Sequence, residues 1–180
     1  MKDKKSTVIE VATRLFAEQG FDKTSVDNIC KAAGVSKGLV YHHFNSKDEI
    51  LQEIFVQTTK SMLEMNKSVP NEPPENQLVK LIENIFSQLE HDKLFFQLNL
   101  NLMFQPSTRK LLSHHIKERS AALLDSVKKI FDGIDPDQST KLSFMFIAEI
   151  DGVSLDYLSV YENYPLKALK EHLINKYKNI

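Results

Sequence analysis

The sequence of 180 residues contains one cysteine, no tryptophan and five glycines, and it has no long apolar run. The single thiol, that of Cys30, cannot form an internal disulfide. The longest apolar run, Phe144–Ala148, is far shorter than the roughly 20 residues that a membrane-spanning helix needs. Near the N-terminus, Glu10 and Arg14 interrupt the segment where a secretory signal would need its apolar stretch. We therefore expect a cytoplasmic protein with no membrane partner.

The sequence also lacks the common signatures of catalysis and cofactor binding. It has no serine nucleophile elbow, no phosphate-binding loop and no His/Glu pair with the spacing of metal ligands. The histidine pairs His42-His43 and His114-His115 consist of neighbouring residues, which do not share a face of a helix. We therefore expect no catalytic residue, no metal and no cofactor, and a protein that is not an enzyme.

Charge is distributed unevenly along the chain. The formal net charge is −1 at pH 7, so the protein as a whole is not a basic nucleic-acid binder. Residues 1–47, however, carry a net charge of +3, whereas the remainder carries −4. A basic N-terminal part beside an acidic remainder indicates phosphate as a partner of the N-terminal part, although charged surfaces often differ in this way by chance.

Apolar residues recur with a period near 3.6 throughout, which predicts an all-α fold of nine helices. Thr7 and Glu10 have the spacing of a capping box for the first helix, and Asp135 followed by Pro136 has the pattern of a later helix start. Three prolines between residues 66 and 75 predict a loop. The helices are expected at about 7–20, 26–33, 37–43, 46–65, 76–90, 93–105, 108–132, 137–162 and 166–178.

One stretch contradicts this period. Residues 96–103 alternate between apolar and polar side chains, which is the pattern of a strand. A single strand in a helical protein would leave its backbone groups without partners. We therefore predict a helix here too.

The segment Thr24–Phe44 has the pattern of two short helices joined by a tight turn. Gly34 suits the left-handed turn residue, and Val35 suits the angle between the helices. The second helix of such a pair can lie in the major groove of DNA and lead with its N-terminal side chains. A purely structural pair of helices is the alternative.

The chain closely resembles the TetR family of bacterial transcriptional regulators (TetR/AcrR-like) over about residues 8–55, which include this segment. The resemblance implies an all-helical homodimer. Helices 1–3 would bind DNA, helices 4–7 would enclose a ligand pocket, and helices 8 and 9 would form the dimer interface. The matching residues are Ala12, Phe16, Gly20, Phe21, Thr24, Ser25, Val26, Ile29, Ala32, Gly34, Val35, Ser36, Lys37, Gly38, Tyr41, Phe44, Lys47, Ile50 and Leu51.

The resemblance implies two domains. Residues 1–48 would form a helix-turn-helix DNA-binding domain with its motif at about 25–44. Residues 49–180 would form a ligand-binding and dimerisation domain, with the fourth helix, at about 46–65, as the connector. The protein would be a repressor that leaves its operator, a double-stranded DNA site, when a small molecule binds. An activator of the same family, or a sensing module that has lost DNA binding, are the alternatives.

The residue types at the motif define a DNA-facing set. Hydroxyl groups at helix N-termini bind phosphate well, and Gly38 permits close approach of the backbone. Leu39 cannot hydrogen-bond a base, so base readout would depend on Lys37 and His42. The complete set is Thr24, Ser25, Ser36, Lys37, Gly38, Leu39, Tyr41, His42, His43 and Lys47.

Two further sets are expected in the remainder of the chain. Aromatic and flexible apolar residues with a polar stripe suit a pocket for a mostly apolar effector, although each of them also suits an ordinary core. The pocket set is Phe86, Phe96, Gln97, Leu100, Asn101, Met103, Phe104 and Phe144. Small residues and apolar stripes on the last two helices suit a dimer interface. The interface set is Ile147, Ala148, Gly152, Leu155, Leu158, Leu169, Leu173, Ile174 and Tyr177.

Overall fold

The structure, a computed structural model, describes residues 3–65 and 72–180. Within these residues it is all-helical, with ten helices and no strand, which confirms the predicted fold class. The predicted loop at 66–75 lies for the most part outside the described residues. The helices are α1 (Lys4–Gln19), α2 (Val26–Ala33), α3 (Lys37–His43), α4 (Lys47–Met65), α5 (Pro74–His91), α6 (Lys93–Phe104), α7 (Pro106–Leu111), α8 (Ser113–Asp132), α9 (Ser139–Ser159) and α10 (Leu166–Lys178).

The tenth helix arises because the segment predicted as one helix at 108–132 is divided into α7 and α8. Pro106 begins α7 at its first position, where a proline has no hydrogen bond to lose. Leu112, with φ −94° and ψ 8°, then interrupts the regular helix. The amide of Ile116 still donates to the Leu112 carbonyl at 2.8 Å, so the interruption is brief. The alternating stretch at 96–103 lies inside α6, which confirms the helix predicted there.

Two predicted helix starts are wrong. The first helix begins at Lys4, and Thr7 is an interior residue whose hydroxyl donates to the Asp3 carbonyl at 3.3 Å. The Asp135 carboxylate accepts from the amides of Asp137 and Gln138, both at 3.1 Å. It therefore closes a turn before α9 rather than capping the helix itself. Both side chains form local hydrogen bonds, as their positions in capping patterns predict, but neither of them begins its helix.

The chain forms two compact units. The first contains the residues up to Thr59 together with Gln97–Lys117. In it α1 packs against both α2 and α3, which also contact each other. Its core is formed by apolar residues that are at most 3% exposed, among them Val8, Ala12, Phe16, Ile29, Val40, Phe44, Leu51, Phe55, Leu98 and Leu102.

The second unit contains Lys60–Phe96 and Glu118–Ile180, apart from the residues that are not described. Its core is formed by α5, α8, α9 and α10, with α10 packed against α5. Three buried rings meet at its centre. The centroid of Phe146 lies 5.2 Å from that of Tyr177 and 6.2 Å from that of Phe131. Among the helices of residues 3–65 and 72–180, none has the length and apolar character to cross a membrane.

We expect Gly34→Ala to destabilise the first unit. Gly34 has φ +62°, where a Cβ is unfavourable, and no neighbouring atom lies within 4 Å of the added carbon. The cost is therefore conformational alone, about 1–2 kcal/mol. Gly38→Ala is the matched control, because Gly38 is inside a helix and its nearest neighbour lies at 4.0 Å. Urea unfolding of both variants measures the difference, and equal stability of the two would contradict the prediction.

Candidate nucleic-acid interface

The helix pair α2–α3 is held in place by a side-chain cap at each N-terminus and a left-handed residue between the helices. The Ser25 hydroxyl accepts from the Asn28 amide at 3.1 Å, and the Asn28 side chain accepts from the Ser25 amide at 3.1 Å. Gly34 ends α2 in the left-handed conformation. The Ser36 hydroxyl accepts from the Leu39 amide at 3.2 Å and so begins α3. These groups define the angle of a helix-turn-helix.

Helix α3 has one buried and one exposed face. Val40 and Phe44 are 1% and 3% exposed, and they fix the helix to the core of its unit. On the other side Lys37, Gly38 and His42 are exposed, and Tyr41 is 47% exposed. Leu39 and His43 are half-buried between these faces. The predicted members of the recognition helix therefore share an accessible surface, led by Lys37 at its N-terminus.

Lys37 is paired with a carboxylate on the preceding helix. Its Nζ lies 2.9 Å from Oδ1 of Asp27, and both side chains remain largely exposed. The hydrogen bond that Lys37 donates to the Asp27 carboxylate raises the pKa of Lys37, and the charge of the same carboxylate adds to this. Sequence reasoning missed Asp27, because spacing along the chain does not show that the first turns of two different helices meet.

Lys47 bonds to the loop between α1 and α2. Its Nζ donates to the Phe21 carbonyl at 2.8 Å and to the Thr24 carbonyl at 2.9 Å. The same ammonium lies 4.1 Å from the centroid of the Phe21 ring. Two of its three N–H donors are thus used inside the protein. Its main role in this structure is to tie the start of α4 to the loop that leads into α2.

Thr24 differs from the other members of the DNA-facing set because it is buried. It is 1% exposed, and its hydroxyl donates to the Gly20 carbonyl at 2.9 Å. Its side chain is therefore not available to a phosphate. The neighbouring Ser25 is exposed at the N-terminus of α2 and remains accessible.

The residues predicted for a ligand pocket fall in both compact units. Phe86 is in the core of the second unit, Phe96 packs against that core, and Phe144 is 58% exposed on α9. Gln97, Leu100, Asn101, Met103 and Phe104 belong to the first unit, where Phe104 is 68% exposed. The side-chain amide of Asn101 donates to the Ala17 carbonyl at 3.2 Å.

A groove of about 650 Å³ in the second unit contains none of these predicted residues. It lies at the start of α10 and includes two tyrosines whose ring centroids are 6.3 Å apart. Its lining residues are Glu90, Tyr157, Tyr164, Pro165, Leu166, Lys167, Ala168 and Glu171.

The dimer set divides into surface and core residues. Leu173 and Tyr177 are 5% and 1% exposed within the core of their own unit, so they do not lie at the surface as predicted. Ile147, Leu158 and Ile174 are half-buried and pack against that core. Ala148, Gly152 and Leu155 remain exposed, and Leu169 is half-buried.

Two polar groups in the second unit's interior were not foreseen as core residues. Arg119 is 4% exposed, and burial lowers its pKa to about 10, while the charge of Asp151 opposes that shift. Burial together with a hydrogen bond to Glu149 raises the pKa of Tyr177, whose hydroxyl donates to that carboxylate at 2.9 Å. Arg119 lies four residues before Leu123, on the apolar stripe of α8, and this spacing is the signal that indicates its burial.

In the part of the chain that the structure describes, no three or more His, Cys, Asp or Glu side chains form a group that could hold a metal ion. Cys30 is buried as a small core residue, and burial raises the pKa of its thiol.

Comparison with known proteins identifies the class of protein. Residues 8–54 match the family described as bacterial regulatory proteins, tetR family. The chain is 32% identical over 167 residues to the uncharacterized HTH-type transcriptional regulator YuxN of Bacillus subtilis (strain 168), with 88% of this chain and 55% of that protein covered. It therefore spans about half the length of that relative.

Two similarities extend over most of both partners. The chain is 25% identical over 153 residues to the biofilm operon icaADBC HTH-type negative transcriptional regulator IcaR of Staphylococcus epidermidis, covering 82% of this chain and 80% of that one. A crystal structure of a transcriptional regulator (TerR/AcrR family) from Aquifex aeolicus VF5 superposes with a TM-score of 0.75 at 25% identity, covering 98% of this chain and 99% of that one. Residues 8–54 thus match the TetR family of bacterial regulatory proteins, and the chain as a whole is similar to transcriptional regulators of the TetR/AcrR type.

We expect Lys47→Met to destabilise the first unit although it preserves most of the side-chain volume. The variant removes the donors to the Phe21 and Thr24 carbonyls. Loss of hydrogen bonds from a charged group costs about 1–3 kcal/mol. Lys47→Arg keeps charged donors and should recover part of the loss. Chemical denaturation measures both variants, and a Lys47→Met protein as stable as the parent would show that the bonds to the loop contribute nothing.

Proposed function

We propose that the protein is a sequence-specific, DNA-binding transcriptional regulator that lays α3 in the major groove of an operator. One observation carries the proposal: α3 exposes Lys37, Gly38 and His42 while Val40 and Phe44 hold it to the core. A helix anchored on one side and polar on the other is what a helix-turn-helix presents to base edges.

The exposed groups divide into base-reading and backbone-binding residues. Lys37 suits the O6 and N7 acceptors of guanine, and His42 is an exposed hydrogen-bonding side chain five residues further along α3. Ser25 and Tyr41 carry exposed hydroxyls that suit phosphate contacts. Leu39 is half-buried and suits apolar contact with a thymine methyl. Lys47 supports the interface through the α1–α2 loop rather than by a free ammonium.

We infer that the protein acts as a homodimer through α9. The members of an apolar stripe on this helix are four, four and three residues apart, so they lie on one face: Phe144, Ala148, Gly152 and Leu155. Phe144 is 58% and Leu155 36% exposed at its ends. Between them lie the exposed Ala148 and Gly152, and among the described residues no atom outside the local helix backbone and the two chain neighbours lies within 4 Å of a Cβ added at Gly152. Small residues between two large ones permit close approach of a second helix. Phe144 is therefore reassigned from the pocket to this stripe.

Repression is the mode of action that we favour. IcaR, which resembles this chain over most of its length, is described as a negative transcriptional regulator. In the mechanism we propose, a small, mostly apolar effector binds the predicted ligand-binding domain, residues 49–180, and the protein then releases the operator. The buried Phe86 and half-buried Phe96 remain predicted members of its pocket. An activator would use the same surface of α3.

A footprint on the DNA upstream of the protein's own coding region tests sequence-specific binding. We expect protection of a discrete site at moderate salt, and no protected site would refute the proposal. Lys37→Ala should weaken binding to that site by roughly 5- to 150-fold and relax its sequence preference, as expected for a base-reading residue. Lys31→Ala, an exposed lysine on α2, is the charge-matched control and should retain the preference.

The variant Gly152→Leu tests the dimer. Apart from the local helix backbone and the two chain neighbours, no described atom lies within 4 Å of a Cβ at this position, so the protomer should fold normally. In a close helix pair it should weaken association by about 1–3 kcal/mol, the usual cost of overpacking. Ala121→Leu, an exposed small residue on α8, is the control. Sedimentation equilibrium gives the dissociation constants, and an unchanged constant for Gly152→Leu would place the interface elsewhere.

A further inference from the structure

The contact between Asp27 and Lys37 joins the first turns of the two helices of the DNA-binding motif. Asp27 is the second residue of α2 and Lys37 is the first residue of α3. Oδ1 of Asp27 lies 2.9 Å from Nζ of Lys37, and the two side chains are 72% and 55% exposed. The leading cation of the recognition helix is therefore already bonded to an anion on the surface that would face DNA.

This ion pair is not needed to hold the helices together. Ion pairs exposed to solvent contribute little to folding stability, because water and salt screen them. The turn is fixed by other groups, among them the left-handed Gly34 and the bond from the Val35 amide to the Cys30 carbonyl at 3.1 Å. Asp27 is also favoured at the start of α2 by the helix dipole, with or without Lys37. The main effect of the pair therefore falls on what Lys37 can bind.

The carboxylate of Asp27 makes a base edge a better partner for Lys37 than a phosphate. An ammonium has three donors, so Lys37 can keep its bond to Asp27 and still donate to the O6 and N7 atoms of guanine. Both of these acceptors are neutral. A phosphate oxygen is negatively charged and would be repelled by the carboxylate that shares the ammonium. Binding a phosphate therefore requires Lys37 to leave Asp27, which then remains unpaired beside the DNA backbone.

We propose that Asp27 is a specificity-determining residue, which directs Lys37 to base edges and lowers the affinity of the motif for DNA of any sequence. The proposal rests on the proposed function, since it assumes that α3 meets DNA. Binding to any sequence is carried by phosphate contacts and releases counterions. A lysine that is neutralised by its own protein adds little to that binding until a base edge is present.

Asp27→Asn in the full chain tests the proposal, because it removes the charge at nearly constant shape. Binding is measured against salt concentration for two probes: the duplex from upstream of the coding region and a random-sequence duplex of equal length. We expect affinity for the random duplex to rise by up to about fivefold per motif, the upper range for an exposed pair. The slope of log affinity against log salt should steepen by about one for each motif bound. Affinity for the upstream duplex should rise less, so the ratio of the two affinities should fall.

A double-mutant cycle identifies Lys37 as the group through which Asp27 acts. In a Lys37→Met background, Asp27→Asn should have a clearly smaller effect on the slope and on the affinity ratio, because only the repulsion between the carboxylate and the DNA backbone is then removed. Glu18→Gln makes the same change of charge on an exposed residue of α1 and should leave both quantities as they are. An effect of Asp27→Asn that is undiminished without Lys37 would indicate that the charge of the carboxylate acts on DNA directly, and it would overturn the proposal.

The remaining outcomes separate this proposal from the proposed function. An unchanged salt slope in Asp27→Asn would overturn the role of Asp27 while leaving DNA binding intact. A parallel loss of affinity for both duplexes with a lower melting temperature would show a purely structural pair, and it too would overturn the proposal. If the parent protein bound neither duplex, the proposed function itself would fail.

Discussion

Several carbonyl groups at the end of α1 and in the loop that follows are hydrogen-bonded by side chains from other elements. The last carbonyls of any helix lack partners within the helix. Here the side-chain amide of Asn101 donates to the Ala17 carbonyl, and Lys47 donates to the carbonyls of Phe21 and Thr24. This loop decides where α2 begins, because the capping residue Ser25 follows Thr24 directly. The orientation of the helix-turn-helix therefore depends on α4 and α6 as well as on its own packing.

These bonds also explain why the first compact unit extends beyond the N-terminal helices. Residues 97–117 belong to it, and the Ser107 hydroxyl donates to the Asp22 carboxylate at 2.9 Å. Gly20 faces the Gln105 side chain, whose Nε2 would lie 3.5 Å from a Cβ at that position. A displacement of α6 or α7 would have to break these contacts or move the end of α1 and the following loop with it. Of the polar side chains Gln97 and Asn101, which suggest a ligand site from sequence alone, Asn101 is thus used to hold the end of α1.

Sequence reasoning succeeds where the controlling forces are local. The bounds of α2 and α3 were predicted because Ser25, Gly34 and Ser36 act on residues no more than a few positions away. It fails where the same apolar side chain would suit either the core of the protomer or another apolar site, such as an interface or a pocket. Tyr177 has the spacing of an interface residue, but the protomer buries it beside Phe146 and satisfies its hydroxyl with Glu149. Phe144 has the aromatic side chain that a pocket residue would have, yet it lies on an exposed face of α9. Such choices depend on which helices become neighbours, and periodicity along one helix does not contain that information.

The exposed surface of α3 has few groups that read bases, and this limits what one copy can recognise. Leu39 offers no hydrogen bond, so base readout by one copy would depend on Lys37 and His42. In the dimer that we propose, sequence preference would then come largely from the use of two copies, since the spacing of two half-sites and the shape of the DNA between them are themselves read. The second binding event in that dimer would be intramolecular, so two weak contacts would give tight binding without any further side chain. In the proposed dimer the apolar stripe of α9 would therefore serve recognition as α3 does, because it would join the two copies that read the two half-sites.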